Sequence, residues 1–222
     1  MKILIACEES DEVRGRFEKL GFDAWSCDLQ DNRNSNAKHY KGSVFDIINE
    51  GWDAMIAFPP CTHLAVSGAA HFEQKRKDGR QQEGIDFFMS MINARVKHIA
   101  VENPIGIMSK IYKKPTQIIQ PYYFGDKAQK STCLWLKNLP ALIHNDKPNL
   151  FNEPITHTDK GEFFEWTDKN GVKKRQPKWY ADAFRCHGID AAMRSKIRSK
   201  TFPGIAEAMA NQWGKYLKSI YE

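Results

Sequence analysis

The first 28 residues alternate in a way that few folds accept. Lys2–Ala6 carries an unbroken apolar run from Ile3, too short for a helix and suited to a strand covered on both faces. Glu8-Glu9-Ser10-Asp11-Glu12 follows, then a stretch to Leu20 in which Val13, Phe17 and Leu20 recur at helical spacing. Ser10 or Asp11 is the expected cap of that helix, with acids in its first turn, and Gly21 its stop. Asp23–Cys27 reads as a second strand ending at Asp28. Strand, loop, helix and strand in so short a span make a βαβ-type start, which requires a parallel sheet with helices laid over it. The expected fold is therefore α/β, a doubly wound and mostly parallel sheet.

The later segments fit that expectation. Tyr40–Val44 reads as a short strand followed by a helix through Asn49, and Gly51 breaks it. Asp53–Ala57 is a fourth strand, stopped by Pro59-Pro60 because proline has no N–H for the ladder. Ala69–Gly79 is polar and basic and reads as a mobile loop. Ile85, Phe88, Met89 and Ile92 fall on one helix face, and His98–Val101 is a fifth strand ending at Glu102-Asn103-Pro104. Gln117–Tyr123 and Ser131–Leu136 are β-like runs joined by Gly125-Asp126. Asn138 to about Arg194 is rich in prolines and polar turns, apart from Phe163–Thr167 and Val172–Arg175 around Asp168-Lys169-Asn170-Gly171, a hairpin signal. Pro203 to about Tyr216 closes as a helix with Ile205, Ala208, Met209 and Trp213 on one side.

At 222 residues, 41% hydrophobic and 27% charged, the composition is that of one ordinary globular domain with at most a small appendage. No run of 18 apolar residues marks a membrane span, and acids follow Met1–Ala6 at once, so a cytoplasmic location is expected. The five cysteines, Cys7, Cys27, Cys61, Cys133 and Cys186, stand far apart without zinc spacing, so reduced thiols and no metal are expected. The net charge of +6 is local, since Lys169–Lys200 holds ten basic residues against two acidic ones. Such a run is either a solvated surface or a phosphate-contacting one.

The residues that carry chemistry sit at strand ends. Cys61 follows the fourth strand on a rigid Pro-Pro turn, where α/β sheets place their sites. By itself it reads equally as a small buried hydrophobe or as a nucleophile. Glu102 ends the fifth strand and by itself reads equally as a helix-capping acid or as a functional carboxylate. If the two strands are neighbours, a thiol and a carboxylate converge at one edge.

In this order the residues resemble the cytosine-C5 methyltransferase family. Pro60-Cys61 with Ser67-Gly68 resembles the family's Pro-Cys loop, and Arg80 with the helix through Phe87-Phe88 resembles the element after it. Glu102-Asn103-Pro104 resembles the Glu-Asn-Val motif with Pro for Val, and Gln129-Lys130-Ser131-Thr132 resembles Gln-x-Arg-x-Arg. Thr201-Phe202-Pro203 resembles the last block. The likeness covers roughly residues 1–137 and 197–215 and is greatest to small phage or prophage members.

The resemblance implies a Rossmann-like, S-adenosylmethionine-dependent methyltransferase acting on cytosine in DNA. In it Cys61 adds to ring C6, Glu102 stabilises the adduct at N3 and the exocyclic amine, Asn103 orients the loops, and Lys130 supplies a cation. The family's glycine-rich first loop is replaced by Ala6-Cys7-Glu8-Glu9-Ser10-Asp11, which leaves Ala6, Glu8 and Ser10 as cofactor contacts with Pro59 and Thr201. Asp28 is a ribose ligand or a turn residue, and Ser43 stands where an Asp usually meets adenine, so Asp46 is the substitute. Ser67, Gly68 and Arg80 fall to the substrate side. Family members that read a DNA sequence carry a longer insert than the approximately 55 residues here. The implied division is a catalytic domain of 1–137 plus 195–222 and a basic target-recognition-like region of 138–194. There Lys173, Lys174, Arg175 and Lys178, with Trp179 and Arg185, are the candidate DNA contacts. The rivals are the same chemistry on RNA or a free cytosine nucleotide, a catalytically silent nucleic-acid-binding module, and a thiol enzyme of another sort such as a hydrolase, against which stands that no His, His63 included, has an evident partner role.

Overall fold

The structure is a computed structural model that describes residues 1–144, 159–185, 190, 196–197 and 199–221. Arg194, Arg198 and Cys186, and the side chain of Arg185, lie outside the described residues. The chain runs β1 (Lys2–Ala6), α1 (Arg14–Lys19), β2 (Asp23–Asp28), β3 (His39–Lys41), α2 (Val44–Ile47) and β4 (Ala54–Ala57). A 3-10 turn (Val66–His71), α3 (Phe72–Lys77), α4 (Arg80–Ile92), β5 (His98–Pro104) and α5 (Met108–Ile111) follow. Next come β6 (Gln117–Ile119), a 3-10 turn (Pro121–Phe124), β7 (Thr132–Lys137), and the strands β8 (Phe163–Thr167) and β9 (Lys173–Pro177) with α6 (Lys178–Arg185). The chain closes with α7 (Pro203–Ala208), a π-helical segment (Met209–Trp213) and α8 (Gly214–Tyr221).

Seven strands form one sheet in the order β3-β2-β1-β4-β5-β7-β6. The pairs from β3 to β5 are parallel, and β7 runs antiparallel to both β5 and β6. The architecture is α/β, doubly wound, mostly parallel and Rossmann-like. Ile3, Leu4 and Ile5 of β1 and Met55, Ile56 and Ala57 of β4 are all buried, because helices cover both faces. On one face Leu4, Met55, Ile99 and Trp135 pack with Ile47 of α2 and Phe88 and Met91 of α4. Residues of the other parity, Ile3, Ile5 and Ala100, are equally buried, and α1 packs against β2 and the π-helical segment.

Three local expectations are corrected. Ala69–Gly79 is not a loop but a 3-10 turn and a helix, because Lys75 turns inward and is 8% exposed. Neither Ser10 nor Asp11 caps α1; its leading N–H groups at Val13 and Arg14 donate to the Glu8 carboxylate at 2.7 and 3.1 Å. Of Gln117–Tyr123 only Gln117–Ile119 is strand, since Pro121 turns the chain.

The chain divides into two compact units. The first comprises Met1–Ile119, Ser131–Ile143 and Ala206–Glu222 and holds the seven-stranded sheet. The second comprises Gln120–Lys130 and His144–Ile205 and holds the β8–β9 hairpin, whose turn carries Gly171 at φ 78°. No helix among the described residues is long and apolar enough to cross a membrane.

Candidate active site

The parallel register pairs Ala57 of β4 with Val101 of β5, so the chain beyond each strand emerges at the same edge. Past Ala57, the Phe58 N–H still donates to the Ala6 carbonyl at 2.9 Å; after it Pro59 and Pro60 have no N–H to offer. The turn is held by its carbonyls instead. Asn103, 1% exposed, donates its side-chain amide to the Pro59 carbonyl at 3.0 Å. The Cys61 carbonyl accepts the N–H groups of Leu64 and Ala65, both at 3.0 Å. The Lys75 ammonium donates to the Thr62 carbonyl at 2.6 Å, and Gln81 donates to the His63 carbonyl at 3.3 Å. Leu64 is fully buried in the core and accepts the Ile107 N–H at 3.0 Å. A bridge between Ala65 and Gly106 completes the clasp between the two strand ends. A side chain at Gly106 would overlap the Leu64 carbonyl oxygen.

Within the first unit this arrangement joins Asn103 directly to Pro59, and it ties the loop that carries Cys61, Ser67 and Gly68 to the strand end that carries Glu102. Cys61 and Glu102 are both half-buried. The other described thiols are held protonated: Cys7 is pushed up to about 12, and Cys27 and Cys133 to about 11, burial being the first cause in each. Glu102 adds to the effect on Cys133. His63 sits below its ordinary value through burial and then Lys75 and Arg80, and its buried Nδ1 makes no hydrogen bond. Arg80 pairs with Asp78 at 2.5 Å at the start of α4. No group of three or more His, Cys, Asp or Glu among the described residues is placed to hold a metal ion.

Beside this edge, Ala6 ends β1, buried between Cys27 and Ala57. The next turn uses two left-handed positions without glycine, Cys7 at φ 60° and Asp11 at φ 64°. The Glu8 carboxylate, 4% exposed, also accepts the Ser10 hydroxyl at 3.2 Å, and burial pushes it up to about 7. Glu9 and Arg33 form a two-bonded ion pair at 2.8 and 2.7 Å. Asp28 ends β2 and accepts the Gln30 N–H at 2.9 Å, while Asp46 is exposed and accepts the Tyr40 hydroxyl at 3.1 Å. Both carboxylates lie near enough to Cys27 to raise it.

Lys130 and Thr201 belong to the second unit. There the Lys130 ammonium donates to the Lys200 carbonyl at 3.0 Å, and the Trp179 indole N–H donates to the Gln129 carbonyl at 3.3 Å. Trp179 also meets Phe202 edge-on at 5.3 Å, so two of the motif-bearing segments pack together. On the hairpin, Lys174 is paired with Asp168 at 2.8 Å and Lys178 with Glu162. Lys173 and Arg175 share one face of the ribbon and have no carboxylate partner among the described residues. Arg175 lies 5.0 Å over the Phe163 ring.

Sequence reading missed Lys75, Gln81 and Gly106. A lysine or glutamine scores as surface in any periodicity, and Gly106 two residues past Pro104 reads only as a turn.

Glu8 sets a pH dependence. Its pKa is about 7 folded against 4.5 ordinarily, so the folded state holds the extra proton between these values. Its contribution to stability is full below about pH 4.5 and is lost as pH rises through about 7; relative to Glu8→Gln, urea-unfolding free energies should fall across that window and level off above it. Gly106→Ala should cost about 1–3 kcal/mol by overpacking. It should also speed hydrogen exchange at the Ile107 and Val66 amides, read by mass spectrometry.

No family model and no curated protein matches the chain. Among solved structures it is similar to a crystal structure from E. coli described as a candidate DNA modification methyltransferase encoded within a prophage, at 14% identity and a TM-score of 0.42. The likeness covers 61% of this chain and 46% of that one, so the chain spans less than half of its neighbour's length.

Proposed function

We propose that this protein methylates cytosine at C5 in DNA, with S-adenosylmethionine as methyl donor and Cys61 as nucleophile. The observation that carries the reading is the clasp of the Cys61 turn to the Glu102-Asn103-Pro104 strand end at the carboxyl edge of a doubly wound sheet. Covalent attack on a flat ring needs a nucleophile and a proton-sharing group held in fixed relation. Backbone groups and the buried Asn103 amide tie the Cys61 turn to the strand end of Glu102, which supports that reading.

The cofactor edge supports a donor without phosphates. In a dinucleotide-binding sheet the helix after β1 meets a pyrophosphate with its N–H groups. Here those groups at Val13 and Arg14 are taken by a buried carboxylate, and a phosphate in their place would face Glu8. S-adenosylmethionine supplies, when bound, an electrophilic methyl on a sulfonium. Asp28 would hold the ribose hydroxyls, Asp46 the adenine side, and Ser10 and the backbone of Ala6 and Pro59 the remainder. Glu8 serves as the support of the loop, because both its oxygens are already engaged.

In the reaction, the Cys61 sulfur adds to C6 and the C5–C6 pair moves to C5, which bonds the methyl as the methyl–sulfur bond breaks. Loss of the C5 proton then expels Cys61 and restores the double bond. Glu102, sharing a proton with N3, neutralises the ring as charge builds and accepts from the exocyclic amine. Asn103 keeps the Pro59–Cys61 turn in place. Lys173 and Arg175, which have no carboxylate partner among the described residues, contact phosphates.

DNA containing 5-fluorodeoxycytidine, given with S-adenosylmethionine, should trap a covalent adduct. Cys61→Ala should form none, and Glu102→Gln should slow it by about 10²–10⁴-fold. Methylation of dCMP but not of DNA would overturn the DNA assignment. In binding titrations, Lys173→Ala and Arg175→Ala should each lower the salt slope by about 0.9. Lys174→Ala and Lys178→Ala should lower it less, their charges being partnered already.

A further inference from the structure

The turn after β1 and the loop after β2 are bound to each other. β1 and β2 are parallel, with Ala6 beside Cys27, so both segments leave the sheet at its carboxyl edge. Arg33 of the loop makes three bonds to Glu9 of the turn. Its N–H donates to the Glu9 carbonyl at 2.9 Å, and its Nε and Nη2 donate to the two carboxylate oxygens at 2.8 and 2.7 Å. The Asn34 side-chain amide then donates to Asp11 at 3.0 Å. Exposed ion pairs contribute little alone. This one is two-pronged, the Glu9 side chain is only 15% exposed, and neighbouring bonds hold the same two segments.

The loop is braced on its own side as well. The Gln30 N–H donates to the Asp28 carboxylate at 2.9 Å. His39 of β3 donates from Nε2 to the Gln30 carbonyl at 2.9 Å, since a carbonyl only accepts. That leaves Nδ1 of the neutral ring to accept the hydroxyl of fully buried Ser26 at 2.8 Å. The Ser26 oxygen accepts the Asn32 amide at 3.0 Å, and the side-chain oxygens of Asn32 and Asn34 each accept an N–H two residues on. Arg33 therefore reaches Glu9 from a braced support.

We propose that Glu9 and Arg33 are a positioning pair for the methyl donor: their clamp holds the turn that bears Ser10 against the loop that Asp28 opens. The inference rests on the S-adenosylmethionine reading above. In a doubly wound sheet the ligand lies across the ends of these two strands, so its two sets of contacts must be held in register. Ordering them before binding removes a cost that the donor would otherwise meet. Neither Glu9 nor Arg33 touches the donor in this role. Charge gives the opposite expectation. The donor is a cation at its sulfonium, and Arg33 is a cation held above its ordinary value first by Glu9, with Glu12 and Glu8 adding. Acting through charge alone, Arg33 would repel the donor and its removal would tighten binding. Acting by position, its removal weakens binding.

The test titrates S-adenosylmethionine into the full chain by calorimetry and measures KM and kcat for methylation of cytosine-containing duplex DNA. The Arg33 side chain is 45% exposed, and urea unfolding checks that each variant keeps the fold. Arg33→Met should weaken binding about ten-fold and raise the donor KM alike, with kcat within about two-fold of native at saturating donor. Arg33→Lys, which keeps the charge and can make one of the two side-chain bonds, should fall between Arg33→Met and native. Glu9→Gln/Arg33→Met should bind within about two-fold of Arg33→Met alone, because a clamp already broken has nothing more to lose. Binding by Arg33→Met that is unchanged or tighter would overturn the clamp and leave the methyl-donor reading standing. So would losses that multiply in the double variant, or a loss of kcat at saturating donor. The binding titrations decide the matter even where no DNA is methylated. A native protein that binds no S-adenosylmethionine overturns the donor reading and the clamp with it.

Discussion

The turn that bears Cys61 begins with two residues that have no N–H, and the rest of the site follows from how the chain compensates for that. Pro59-Pro60 ends β4 sharply but takes the turn out of the sheet's hydrogen-bond ladder. Its carbonyls remain, and they are gripped in succession: Pro59 by Asn103, Cys61 by its own next turn, Thr62 by Lys75, His63 by Gln81 and Leu64 by the Ile107 N–H. Buried donors and acceptors are costly to leave unpaired, so each grip resists rearrangement. The grips come from α3, α4 and β5, which ties the position of one thiol to three elements.

The edge after β1 shows the same economy with opposite polarity. A carboxylate inside the molecule caps α1, and burial, with a smaller push from Asp11, raises its pKa. Without glycines, the turn after β1 takes its left-handed positions at Cys7 and Asp11. Asp11 is one of the few non-glycine types that tolerate such a backbone, because a short polar side chain bonds locally; here it pairs with Arg14 and accepts from Asn34. The result is an edge lined with acids and lacking a phosphate cradle.

Much of the sheet was legible because a parallel sheet covered on both faces leaves continuous apolar runs, as in Ile3–Ala6 and Ala54–Ala57. The α4 face was legible from its period, and the hairpin from Asn170-Gly171. Lys75 was not. Its inward turn depends on a carbonyl thirteen positions earlier, and nothing in Ala69–Gly79 announces it. Nor was the Glu8 cap, which reaches five and six residues forward rather than the shorter reach of an ordinary capping residue. The direction of β7 was equally hidden, because alternation of apolar residues carries no sense of parallel or antiparallel pairing.

On the basic hairpin, composition offered four equivalent cations, and pairing with Asp168 and Glu162 divides them into two with a carboxylate partner and two without one among the described residues. That division illustrates the general split. The sequence alone determined most element types, the strand ends at which Cys61 and Glu102-Asn103 stand, and the local excess of positive charge, because these depend on neighbours within a few residues. The tertiary structure decided which polar side chains grip the backbone and which pair with one another. Those outcomes depend on groups brought within hydrogen-bond distance from remote parts of the chain, as Asn103 and Pro59 are.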